Sequence, residues 1–288
     1  MNTSSRLGSV VVGVDGSIGS DEALEWAAGH AASKHRSLLV LNGAGDPGNA
    51  REFLGSVEAE RVLLTAATRV TDHAVDVVRR VAPDLDVQVA TPLQDPREAL
   101  LDASTRASMV VVGTRGRGPV MALLLGSVSS AVAAHASCPV AVIRATESDQ
   151  DGKRGHVVVG VGPASTAALE FAFDTASTEG RSLDVVHSWS TNDTFVDRAS
   201  FAARLAEIDE HERLLGESLA GYAEKYPDVP VTRQTPDARP VQTLVRLSEE
   251  AALVVVGSRG RTGLKATFGS VSREVAERAH CTVVVVGS

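Results

Sequence analysis

Gly113, Gly116, Gly126 and Ser127 follow the apolar run Met109–Gly113 in a pattern of two and then nine residues between glycines, with Arg115 and Arg117 interleaved. Glycines in such a loop open backbone conformations closed to other residues and let a ligand approach the main chain; Gly118 adds a further one. A Gly-Ser pair at the start of a helix offers free backbone N–H groups and the positive end of the helix dipole, which together favour an anion. The hydroxyls of Ser127 and Ser129 stand beside it as further donors, and the guanidinium groups of Arg115 and Arg117 can neutralise negative charge. A polyphosphate suits this set of residue types. The plain alternative is a turn followed by a helix cap, because glycine after a strand and Gly-Ser before a helix serve that purpose too.

Competing chemistries lack their residues. No lysine follows the glycines as a P-loop requires, and the stretch GVDGSIG at 13–19 has Asp15 where a dinucleotide fingerprint needs its second glycine. The eight histidines show no i,i+4 pair and no cysteine partner at ligand spacing, so no metal site is expected. Cys138 and Cys281 each open an apolar run and read as buried small residues in a reducing compartment. No Ser–His–Asp set or pair of catalytic carboxylates can be placed from spacing alone.

A phosphate loop of this kind must be carried by strand ends. In the first half, SVVVGV (9–14) reads as strand one, 20–36 as an amphipathic helix with Leu24, Ala27, Ala28 and Ala31 on one face, and LLVLNG (38–43) as strand two. A long helix ends near Val81, and DVQVA (86–90) and DPREALLDAS (95–104) give strand three and the third helix. MVVVG (109–113), a helix from Ser127 to about Ala136, and PVAVIR (139–144) complete the half. Val-rich runs without polar alternation suit parallel strands covered on both faces, and their alternation with helices implies a doubly wound sheet. Ligands of such sheets bind outside the carboxyl ends of the strands where the winding reverses, which singles out the loops after strands one and four.

The pattern occurs twice. Pro92 and Gly113 recur as Pro236 and Gly257 at an offset of 144, and Gly126 and Cys138 recur as Gly269 and Cys281 at 143. The chain of 288 residues is thus a tandem duplication, with 1–146 and 154–288 as its two domains joined through the charged stretch TESDQDGKRG (146–155). A hydrophobic fraction of 43% and a charged fraction of 22% suit globular cores. A net charge of −8 gives no global attraction for nucleic acid or anionic lipid, so neither is expected as a partner. No run reaches the roughly 20 apolar residues of a membrane span, and a cytoplasmic protein is the expectation.

The glycine spacing and the strand-one ending VGVDGS (12–17) resemble the universal stress protein family in its tandem form, over both halves. The resemblance implies two five-stranded parallel-sheet domains of the adenine-nucleotide α-hydrolase-like type, with strand order 3-2-1-4-5. It further implies ATP, with or without magnesium, bound between the loops after strands one and four. Asp15, with Gly16 and Ser17, would contact the nucleoside. Gly113, Thr114, Arg115, Gly116 and Arg117, and then Gly126, Ser127, Val128 and Ser129, would hold ribose and phosphates. Gly257, Arg259, Gly260, Gly269, Ser270, Val271 and Ser272 are the corresponding residues of the second half. The resemblance also implies pairing of the halves through their fifth strands (139–144 and 282–286) and a homodimer of whole chains.

The second half departs from the pattern where the ligand would sit. Gly162 stands in place of Asp15, the strand-one loop is shorter by two residues, and eight residues rather than nine separate Gly260 from Gly269. ATP is therefore expected mainly in the first half. The expected function is regulation by nucleotide occupancy under stress, with the nucleotide held rather than turned over. A slow ATPase or nucleotidyl transferase, and a partner-binding scaffold with vestigial sites, are the alternatives.

Overall fold

Runs of β-branched residues set the strands, and the burial of those strands explains why the runs lack polar alternation. The computed structural model describes residues 8–45, 56–114, 125–144, 155–162, 165–190, 198–258 and 269–287. The chain divides into two units near residue 145.

In the first unit, β1 (Val10–Gly13), β2 (Leu38–Leu41), β3 (Val87–Ala90), β4 (Met109–Gly113) and β5 (Val140–Ile143) form a parallel sheet in the order β3-β2-β1-β4-β5. This is the expected order. All four residues of β2 and of β5 are buried, whereas edge strand β3 (VQVA) is half exposed and carries the polar residue the others lack. The helices are α1 (Ile18–Ser33), α2 (Ser56–Val81), α3 (Pro96–Ser104) and α4 (Ser127–His135). Helix α1 buries Ala23, Leu24, Ala27, Ala28 and Ala31, and these small side chains let it lie close on the sheet.

Helix α1 begins two residues before the expected Ser20. Ser17 is its cap, accepting from Ser20 N at 3.3 Å, and Ser20 instead turns its hydroxyl back to the Ser17 carbonyl at 2.8 Å. It also ends earlier than Arg36, because His35 adopts a left-handed φ of 51°.

The second unit repeats the plan with β6 (His156–Gly160), β7 (Ser182–Val186), β8 (Val231–Gln234), β9 (Ala251–Gly257) and β10 (Thr282–Val286), in the order β8-β7-β6-β9-β10. Its helices are α5 (Thr166–Glu179), α6 (Arg198–Ser218), α7 (Tyr222–Lys225), α8 (Pro240–Leu247) and α9 (Ser270–Arg278). Several packing devices are duplicated. A β-carbon on Gly13 would meet the Leu100 side chain at 3.0 Å, and one on Gly160 would meet Leu244 at 2.9 Å. Ser104 Oγ accepts from Ser137 N at 3.0 Å, and Ser248 Oγ accepts from His280 N at 2.8 Å.

Cys281 is buried as expected, but Cys138 is only partly so; burial nonetheless pushes its thiol up to about 11. Among the described residues, no helix is long and apolar enough to cross a membrane.

Candidate functional site

The winding of the first sheet reverses between β1 and β4, which lie side by side with Val10 opposite Met109 and Val12 opposite Val111. Their carboxyl ends therefore open into the same crevice. Val14 continues past β1 and donates its N–H to the Leu41 carbonyl at 3.0 Å. Asp15 then closes a local turn, its Oδ1 accepting from Ser17 N at 3.0 Å. Gly16 within that turn has φ of +78°, a conformation that favours glycine, and Ser17 caps α1 immediately afterwards. The three residues expected after strand one are thus one rigid corner, with the Asp15 side chain half-buried.

Asn42 completes this corner and was not singled out from sequence. It follows β2, is buried, and donates Nδ2–H to the Val14 carbonyl at 2.6 Å. A polar residue closing the buried run LLVL is the signal that could have found it.

At the end of β4 the structure corrects one expectation. Gly113 has no left-handed φ. Its glycine is required because the α1 backbone lies where a β-carbon would stand, with the carbonyl carbon of Gly19 at 2.8 Å and its oxygen nearer still. That contact places the start of α1 against the end of β4, so the corner at residues 15–17 and the loop after β4 are brought together.

The start of α4 is tied to the same point. Thr114 N donates to the Ile143 carbonyl at 3.0 Å, Gly126 N to the Thr114 carbonyl at 3.2 Å, and Ser129 Oγ to the Gly113 carbonyl at 2.6 Å. Here a second correction arises. Ser129 was expected to face an anion, but it is buried and its hydroxyl is committed to Gly113. Ser127 is exposed, and its hydroxyl has no partner among the described residues. The first intrahelical bond is from Ser130 N to the Gly126 carbonyl at 2.8 Å, so the N–H groups of Ser127, Val128 and Ser129 are the open donors of this helix start. Gly126 sits at the cap with φ of −62° and no side-chain cap bond. Arg115, Gly116 and Arg117 lie outside the described residues.

The second unit reproduces the helix tether and alters the corner. Gly269 N donates to the Ser258 carbonyl at 2.9 Å and Ser272 Oγ to the Gly257 carbonyl at 2.5 Å, so Ser272, like Ser129, is committed to the protein. Ser270 and Val271 open α9 as Ser127 and Val128 open α4. Gly257, unlike Gly113, has nothing within 4 Å of a β-carbon among the described residues. At the corner, Gly162 stands where the first unit has Asp15, and its N–H donates to Ser165 Oγ at 2.8 Å. His187 takes the place of Asn42, with Nδ1 at 3.0 Å from the Val161 carbonyl. Arg259 and Gly260 lie outside the described residues.

The sequence profile of the Universal stress protein family matches residues 7–144 and again 153–287. Universal stress protein Rv2005c of Mycobacterium tuberculosis is 38% identical, with 96% of each chain covered. A universal stress protein of Mycolicibacterium smegmatis is 36% identical over the same shares. Among solved structures, a universal stress protein from Archaeoglobus fulgidus shares this fold, with a TM-score of 0.70 and 21% identity, covering 98% of this chain and 97% of that one. With the doubled strand order, the doubled Gly-Ser-Val-Ser helix start and a family match in each half, the chain belongs to the universal stress protein family.

Proposed function

We propose that the first unit holds ATP at the crevice between β1 and β4, and that occupancy of this site, rather than turnover, is what the protein reports under stress. The reading is supported above all by one arrangement: the Asp15–Ser17 corner and the open N–H groups of Ser127, Val128 and Ser129 are tied to the same strand end through Gly19, Gly113 and Thr114. These groups fit the ligand chemically. A helix start with unpaired donors suits phosphate oxygens, the exposed Ser127 hydroxyl adds another donor, and a half-buried carboxylate suits sugar hydroxyls. Magnesium, if bound with the nucleotide, would supply charge neutralisation at the phosphates. The second unit keeps the helix start but has Gly162 for the carboxylate, so it binds the nucleotide weakly or not at all. Self-association of whole chains in the cytoplasm belongs to the same reading.

Calorimetric titration of the full chain with ATP tests this directly. One equivalent is expected, with Asp15→Ala weakening it at least about tenfold, because a hydrogen bond to a charged group contributes about 1.5 kcal/mol or more. Saturating ATP at about 100 times its dissociation constant should add roughly 2.7 kcal/mol to the stability of the first unit. Unchanged affinity in Asp15→Ala, or no saturable binding, would refute the assignment, and steady phosphate release would favour an enzyme.

A further inference from the structure

Two histidines 24 residues apart in the chain meet in the second unit. His187 directly follows β7 and His211 lies on α6, with His187 Nε2 and His211 Nδ1 separated by 3.0 Å. The other ring nitrogen of His187 is 3.0 Å from the Val161 carbonyl. A carbonyl only accepts, so Nδ1 carries the proton and Nε2 turns its lone pair toward His211. The His211 ring is stacked on Trp189, centroids 4.4 Å apart, and Trp189 is anchored by Nε1–H donation to the Thr235 carbonyl at 3.1 Å. Both imidazoles are half-buried and so within reach of solvent. Burial first, and then His187, lower the pKa of His211 against the opposing pull of Glu210 and Glu207.

We propose that His187 Nε2 and His211 Nδ1 form a two-point site for a divalent transition-metal ion of the nickel, cobalt or copper class, with water completing its coordination. Two nitrogens bound to one ion at about 2.1 Å and at right angles stand about 3.0 Å apart, the separation of this pair. Imidazole nitrogens suit the late first-row divalent ions, whose affinity for nitrogen ligands rises from cobalt through nickel to copper. Imidazoles that bind metals commonly donate their second N–H to a carbonyl or carboxylate, as His187 does to Val161. Without metal, His211 Nδ1 donates to His187 Nε2. Binding requires the His211 proton on Nε2 instead, a change of tautomer.

The first unit sharpens the case. There Asn42 holds the Val14 carbonyl with an amide N–H, so the backbone bond alone does not call for an imidazole. Among the described residues, no group of three or more His, Cys, Asp or Glu side chains is placed to hold a metal, so this is a chelate of two side chains with correspondingly modest affinity.

Isothermal titration of the full chain with Ni²⁺ tests the site; nickel is preferred to copper because it does not oxidise the free thiols of Cys138 and Cys281. His187→Asn retains a donor for the Val161 carbonyl, as Asn42 does for Val14, and His211→Phe retains a ring against Trp189. The wild-type chain should bind one equivalent with micromolar affinity, and each variant should lose at least about tenfold, with the metal-free circular dichroism and melting temperature unchanged. Equal Ni²⁺ binding by the wild type and either variant, or no saturable equivalent in the wild type, overturns the proposal.

Discussion

The backbone of Gly113 lies against that of Gly19, with the Gly19 carbonyl carbon only 2.8 Å from where a β-carbon on Gly113 would stand. Both contacting groups are main chain, so neither can swing aside. Gly113→Ala must therefore push α1 away from the end of β4, and overpacking of this kind costs about 1–3 kcal/mol. Gly29→Ala, at an exposed position within α1 where a β-carbon meets nothing within 4 Å among the described residues, should be neutral or slightly stabilising. Calorimetric melting of the two full-length variants makes the comparison. Similar shifts in both would mean that this contact does not set the spacing of α1 and β4.

Ser129 and Ser272 each tie a helix start to the last carbonyl of a strand, at 2.6 Å and 2.5 Å. Alanine at either position leaves that carbonyl without its hydroxyl partner in a largely buried setting, at a cost of about 1–3 kcal/mol. Because the tether is duplicated, Ser129→Ala and Ser272→Ala should destabilise their units by similar amounts, seen as lowered urea midpoints. Serine is small, so little cavity accompanies the change. Ser129→Ala should also weaken ATP binding, by loosening the helix start rather than by removing a ligand contact. A variant that binds ATP normally but melts early would separate those two effects.

The strands and most of the helices were legible because their signal is local. Val10–Val12 and Val110–Val112 are buried on both faces, and such burial leaves no room for alternation. The start of α1 was misread because Ser17 and Ser20 both suit a cap, and only the fold decides that Ser17 accepts while Ser20 turns back. The duplicated Gly-Ser-Val-Ser marked the helix starts, but which serine faces outward depends on Gly113 and Gly257, many residues away in the chain. The same limit hid Asn42, whose partner is Val14, and the meeting of His187 with His211. Spacing rules for metal ligands work within one element, and these histidines belong to two.

Asp95 offers a test in which charge and cap can be separated. It caps α3 by accepting from Arg97 N at 2.8 Å, and its carboxylate also takes Arg97 Nε and Nη2, each at 2.9 Å. The Arg97 guanidinium and then the Arg97 backbone N–H hold the carboxyl down to about 2, below its ordinary 3.8. A carboxyl lowered on folding adds stability that is fully present above about pH 4 and disappears as pH falls through about 2. The pair is surface-exposed, so its ionic share is small and screened by salt. Helix α8 of the second unit has Arg239 at the matching cap with no side-chain bond, and so makes no such contribution. Asp95→Ala should cost about 1 kcal/mol near neutral pH through loss of the cap. Asp95→Asn keeps a cap oxygen and should retain most of that stability while losing the part that depends on pH. Urea midpoints of the three proteins between about pH 6 and pH 2 distinguish the contributions. If Asn and Ala behave alike, the cap bond contributes nothing measurable; if the wild type and Asn decline together with acid, the charge of Asp95 is not what titrates.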